Sequence, residues 1–212
     1  CLSRGLGDVY KRQDRALIAM PSYGGLAPEV AIERFKKISG NGAKCTIVCV
    51  YGNRAYEDTL VQMEDVAKEC GFDVIAAVAA VAEHSIMHQY AAGRPDADDE
   101  KQLETFAEQI SVKEGTVTSV PGNRPYKKGG GAGLVPKVTA DCVKCGLCAE
   151  SCPVKAIDQH SFKADSKSCI SCMRCVSQCP HNARKVSGVM VGIVGLALKK
   201  ACSLRKENEL YL

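Results

Sequence analysis

The feature that most constrains this chain is a duplicated thiol motif. Residues 142–153 read CVKCGLCAESCP and residues 169–180 read CISCMRCVSQCP. Both fit C-x2-C-x2-C-x3-C-P, and the copies are offset by 27 residues. Thiolate is the usual ligand of iron–sulfur clusters, and this spacing is the two-cluster pattern in which the Cys before Pro serves the other cluster. The expected ligands of the first 4Fe–4S cluster are Cys142, Cys145, Cys148 and Cys179. Those of the second are Cys169, Cys172, Cys175 and Cys152. The alternative, structural zinc, commonly uses two separated Cys pairs instead of four closely spaced thiols. Gly146 and Ala149 are expected to leave room for backbone amides to approach cluster sulfurs.

The remaining thiols carry weaker signals. Cys45, Cys49 and Cys70 fall on apolar faces and read as core, and Cys202 reads as a free thiol. Clustered thiols without an export signal are expected in a reducing compartment, here the cytoplasm of a cell that sees little oxygen. The net charge of +4 comes without a basic run interleaved with aromatics, so nucleic acid is not an expected partner. The longest apolar stretch, residues 186–198, is too short to span a bilayer. No grouping of acid, base and nucleophile marks an active site, so any chemistry would rest on cofactors.

The first thirteen residues, CLSRGLGDVYKRQ, fit nothing that follows. Asp8 to Gln13 back-translates to GAT GTG TAT AAG AGA CAG, which resembles a transposon end used to tag DNA. Residues 1–13 are therefore expected to be translated adaptor, with a natural N-terminal part lost ahead of residue 14.

Beyond that point, short apolar runs alternate with helical periods. Candidate strands cover Ala16 to Met20, Lys44 to Val50 and Phe72 to Val81; candidate helices cover Pro28 to Ile38, Tyr56 to Cys70 and Asp96 to Ile110. This alternation predicts an α/β fold with a parallel sheet over residues 14–114. Three parallel strands make a thin sheet. The loss of earlier strands is expected to expose an apolar sheet edge and to lower solubility. Residues 115–140 are rich in Gly, Pro and Lys and read as a linker, or as a loop lying over another surface. Residues 141–184 form the cluster domain. In the tail, residues 185–212, Val186, Val189, Met190, Ile193, Val194, Ala197 and Leu198 keep a helical period. Gly188, Gly192 and Gly195 make a small-residue strip for close packing. The preferred reading is a helix that docks one domain on the other; the alternative is weak membrane-surface contact, since Lys199 and Lys200 follow.

With these residues in view, the chain resembles the flavodoxin–ferredoxin fusion proteins of anaerobes. Residues 141–182 look like a bacterial two-cluster ferredoxin of α+β type, and residues 14–112 look like the later, partial half of a flavodoxin-like domain. The resemblance implies electron transfer with a redox partner protein, and FMN in the intact protein. Pro21, Ser22, Tyr23, Gly24 and Gly25 are similar to the loop that flanks the flavin ring. Gly52-Asn53-Arg54-Ala55-Tyr56, after Tyr51, is similar to the next loop, with Asn53 in place of the usual Asp. Tyr23 or Tyr51 could stack on the ring, or either could be a packed loop aromatic. The family's Ser/Thr-rich phosphate loop is missing, so tight FMN binding is not expected of this fragment. Glu83, His84, Ser85 and His88 follow the last strand near the same edge, and His181 reads as a cluster neighbour. A rival reading keeps the clusters but makes the flavodoxin-like part a cofactor-free docking module.

Overall fold

The structure, a computed structural model, describes residues 15–128 and 133–212. The segment expected to be adaptor lies outside the described residues. Strand β1 (Arg15–Pro21), helix α1 (Glu29–Phe35), strand β2 (Lys44–Tyr51), helix α2 (Thr59–Glu69), strand β3 (Asp73–Val81) and helix α3 (Ala97–Ser111) follow one another. The three strands are parallel and adjacent in that order, with Ile18 opposite Ile47 and Ile47 opposite Ala77. Parallel neighbours need crossover connections, and α1 and α2 supply them. The fold is thus mixed α/β with a parallel-rich sheet.

Each element matches a physical signal. β3 is buried from Val74 to Val81, as a central parallel strand covered on both faces must be, which explains its unbroken apolar run. Its alanines suit a strand that packs against helices closely. Helix α3 begins where Asp96 accepts hydrogen bonds from the N–H groups of Asp98 and Asp99, both at 3.1 Å, in a reciprocal capping box. The core forms around Ile47, Leu60, Met63, Val74 and Ala77, all 0–1 % exposed.

Two features add to the expectation. First, the sheet has four strands. Residues Glu209–Tyr211 form a strand antiparallel to β3, with Leu210 opposite Val78. Three residues are too few to show a period, so the sequence pattern does not announce this strand. Second, residues 115–128 are stapled to the α/β layer. The Val117 N–H donates to the Val74 carbonyl at 2.8 Å. Asp58 accepts from the N–H of Asn123 at 2.8 Å, the side-chain amide of Asn123 at 3.0 Å and the N–H of Lys127 at 2.7 Å. Of the two readings offered for this stretch, the loop over another surface is the one the described residues follow. Gly129 to Gly131 lie outside them.

On the far side of the sheet, β1 pairs only with β2 among the described residues, and Leu17 is 73 % exposed. The cluster region follows the strap. It comprises strand β4 (Lys137–Val138), helices α4 (Leu147–Glu150) and α5 (Arg174–Ser177), and strand β5 (Arg184–Lys185), antiparallel to β4. Helix α6 (Gly188–Cys202) then leads to the final strand, β6 (Glu209–Tyr211). Among the described residues, no helix is long and apolar enough to cross a membrane. Of the small strip in α6, only Gly195 packs closely, beside Gln89 and Met87; Gly188 and Gly192 face open space.

Candidate metal centres and the adjoining cavity

The duplication is structural as well as sequential. α4 and α5 occupy equivalent positions in the two copies. Lys144 and Ser171 have φ of 59° and 53°, Gly146 and Met173 have 83° and 58°, and Lys155 and Asn182 have 52° and 49°. Left-handed residues between the thiols reverse the chain twice within each loop, and the thiols of each loop line a shared cavity. Gly146 therefore serves its backbone angle. A Cβ there would meet no protein atom within 4 Å, and Gly146 lies in the wall of the first thiol cavity. The Ala149 N–H donates to the Gly146 carbonyl at 2.9 Å as α4 begins.

Four thiols line each of two cavities. Cys142, Cys145, Cys148 and Cys179 surround the first, with Phe162, Pro180 and His181 in its wall. Cys152, Cys169, Cys172 and Cys175 surround the second, with Pro136, Ile157 and Met173. Each ring thus combines three thiols from one copy with the pre-proline thiol of the other. Those pre-proline thiols are held alike: the Ala156 N–H donates to Cys152 Sγ and the Ala183 N–H to Cys179 Sγ, both at 3.3 Å. Among the described residues, no three His, Cys, Asp or Glu side chains converge on a point that would suit a single ion. Four closely spaced thiols on one cavity are a donor set that suits a polynuclear cluster better than zinc, which commonly takes two separated Cys pairs.

One functional side chain escaped the sequence reading. Arg184, 2 % exposed, sits in the wall of the first cavity. Its guanidinium donates to the carbonyls of Phe162 and, at 3.2 Å, Pro136, while its Nε is buried without a partner. Burial pushes the Cys148 and Cys175 thiols up, and Arg184 is the foremost opposing influence on both, through its charge at Cys148 and first through a hydrogen bond at Cys175. Arg184 lines the first cavity and holds the carbonyl of Pro136, which lines the second. The signal was available: under the 27-residue offset Arg184 takes the place of Ile157, putting a charge where the first copy is apolar.

A third cavity, of about 500 Å3, opens at the carboxyl ends of β1, β2 and β3. Of the residues expected in flavin loops, Pro21, Ser22, Tyr23, Gly24, Tyr51, Gly52 and Arg54 line it, and Gly25, Asn53 and Tyr56 do not. The Asn53 amide donates to the carbonyls of Cys202 and Leu204, both at 2.9 Å, and its oxygen accepts from the Lys206 N–H at 3.2 Å. The Tyr56 hydroxyl donates to Glu209 at 2.6 Å and lies 2.8 Å from that of Tyr211. Both side chains are thus spent on the C-terminal tail. Glu83, His84 and Ser85 reach the cavity, whereas His88 pairs with Glu83 at 2.6 Å and lies outside its lining. Burial lowers the His84 pKa, and its Nδ1 accepts from the N–H groups of Ile86 and Met87 at 3.2 and 3.3 Å. Gly52 permits this arrangement, since a Cβ there would stand 2.9 Å from His84 Cα.

The opposite wall of this cavity comes from elsewhere in the chain. Ile170 and Ser171 of the second thiol loop face it, as do Val194 and Leu198 of α6. Burial, and after it the nearby Cys172, pushes the Tyr23 phenol above its ordinary value. Tyr23 lines the cavity, as do Ile170 and Ser171, which lie between thiols of the second ring. Lys127 and Lys128 of the strap complete the lining with positive charge.

A family model described as a 4Fe-4S dicluster domain matches residues 141–183. No curated protein matches the chain. The matched segment contains all eight ring thiols, and the match supports a ferredoxin-like domain with at least one 4Fe–4S cluster and a part in electron transfer.

Proposed function

We propose that the protein is an electron carrier with two 4Fe–4S clusters, coupled to an FMN-type cofactor in the α/β layer. The observation that carries this reading is the shared wall: the cavity at the strand ends is closed by Ile170 and Ser171, which lie between thiols of the second ring. A cofactor there would sit beside the second cluster. Its volume falls in the range of small-molecule sites, roughly 300–1,000 Å3.

In this reading Cys142, Cys145, Cys148 and Cys179 hold one cluster and Cys169, Cys172, Cys175 and Cys152 the other. Tyr23 and Tyr51 offer aromatic surface to a flavin, and Arg54 and Lys128 offer charge to its phosphate. The bound groups would supply one-electron exchange at the clusters and conversion between electron pairs and single electrons at the flavin. The chain's own contribution is to fix spacing, exclude water and set local charge. A redox partner would approach the first ring, where Cys145 is exposed between Val143 and Leu147, themselves 59 % and 40 % exposed. The thiol chemistry fits a reducing, oxygen-poor cytoplasm.

The test is anaerobic purification followed by assay of iron, acid-labile sulfide, zinc and flavin per chain. About eight iron and eight sulfide, as two cubane clusters require, is the expected result. Because tight binding is not expected of this chain, flavin is assayed by titration with added FMN, and uptake at the cavity would support the coupled reading. Clusters with no flavin affinity would leave the cofactor-free docking module. Zinc without sulfide would end the electron-carrier reading.

A further inference from the structure

Arg184 presents an electrostatic problem. Its guanidinium is 2 % exposed, and among the described residues no carboxylate forms an ion pair with it. Contrast Arg94, equally enclosed, which is paired with buried Asp99. Burying a cation without a counter-charge is strongly unfavourable. The two carbonyls Arg184 meets supply dipoles and no net charge, and Nε has no partner at all. An arginine cannot escape by releasing its proton. Something anionic must therefore face it when the protein is loaded.

The surroundings say what that is. The guanidinium lies in the wall of the ring of Cys142, Cys145, Cys148 and Cys179, and it donates at 3.2 Å to the carbonyl of Pro136, which lines the cavity of the other ring. Four thiolates around a 4Fe–4S core leave the site net negative, and reduction adds a further negative charge to it. A fixed cation between two such sites favours the reduced form of each, because hydrogen bonds and charge near the sulfurs set cluster potential. The position is also one where the other copy of the motif carries Ile157. Packing alone is satisfied by an apolar residue there, so the charge is the added element.

Resting on the two-cluster reading above, we propose that Arg184 is a counter-ion shared by both clusters, raising the reduction potential of each. Its Nε–H is the donor left free for cluster sulfur.

The test uses the whole chain with clusters loaded anaerobically, in wild type, Arg184→Met and Arg184→Lys. Potentials of both clusters are read by optical and electron-paramagnetic-resonance titration, with iron and sulfide counted in parallel. In Arg184→Met the reduced-to-oxidised ratio at a fixed potential should fall about tenfold for both clusters, a negative shift of about 59 mV each. Arg184→Lys keeps the charge and should shift by less than half as much. If Arg184→Met fails to load while Arg184→Lys loads with near-native potentials, the counter-ion role is supported. The proposal is overturned if Arg184→Met keeps its full iron and sulfide with unchanged potentials. It is equally overturned if only one cluster responds, if the two variants shift alike, or if neither variant loads. A wild type that takes up no clusters would instead overturn the proposed function itself.

Discussion

Replacing Asn53 with Ala should release the C-terminal tail from the α/β layer. Asn53 is 2 % exposed and makes three hydrogen bonds to the tail: two donated, to the carbonyls of Cys202 and Leu204, and one accepted, from the Lys206 N–H. At about 1 kcal/mol net for each, their loss costs about 3 kcal/mol. Asn53 also has φ of 61°, where alanine pays about 1 kcal/mol more. Asn53→Ala should therefore lose about 4 kcal/mol and Asn53→Gly about 3 kcal/mol, since glycine is spared the backbone penalty. Asn53→Asp installs the residue the flavodoxin resemblance would lead one to expect. It should be no better than Ala, because it turns a donor facing two carbonyls into a buried negative charge. Urea unfolding gives the free energies. Hydrogen exchange over residues 203–212 and the labelling rate of Cys202, now 2 % exposed, report the local release. An Asn53→Ala protein within about 0.5 kcal/mol of wild type, with Cys202 no more reactive, would refute the assignment of these bonds as the tail's anchor.

Three further outcomes follow from the same contacts. Gly52→Ala places a methyl 2.9 Å from His84 Cα and should cost about 1–3 kcal/mol, seen as a lower urea midpoint. On the acid side, Asp58 is held below the ordinary carboxylate range, first by the Lys127 N–H, and Asp99 below it, first by Arg94. A depressed folded pKa gives stability that is present above about pH 4 and lost as pH falls through the folded values, so Asp58→Asn should flatten the acid limb of a stability–pH profile. On the alkaline side, burial pushes the Cys45 and Cys49 thiols from 9.0 up to about 12. The unfolded chain ionises first, so their contribution is lost as pH rises from about 9 toward about 12. Cys45→Ala with Cys49→Ala should be less sensitive over that interval in the same measurement.

Local signals made much of the architecture legible. The parallel strands and their helices could be placed to within a few residues, because apolar runs bounded by glycine and proline, and the Asp96 cap, are written in adjacent residues. The offset of the thiol motif likewise anticipated which residues recur in equivalent positions. What was not legible depends on contacts between distant segments. β6 is three residues long and exists only because β3 offers it an edge. Asn53 and Tyr56 sit in loops whose spacing resembles a flavin site, yet their polar atoms are claimed by residues about 150 positions further on. Asp58 looks like an ordinary turn acid until the strap folds over it. Arg184 carries a signal of a different kind: it shows only when the residues after each Cys-Pro are aligned across the repeat, where Ile157 is exchanged for Arg.

The return of the chain to the sheet after the cluster region has a practical consequence for dissecting the protein. β6 arrives only once the cluster loops and α6 have been made, so the α/β layer is interleaved with the region it would ordinarily be separated from. Cutting the gene between the strap and Lys137 would not give two modules. The upstream piece would leave β3 a bare edge and strip the tail partners from Asn53 and Tyr56, while the downstream piece would carry a strand with nothing to pair against. The two should behave as complementary halves, each poorly folded alone and regaining order when mixed.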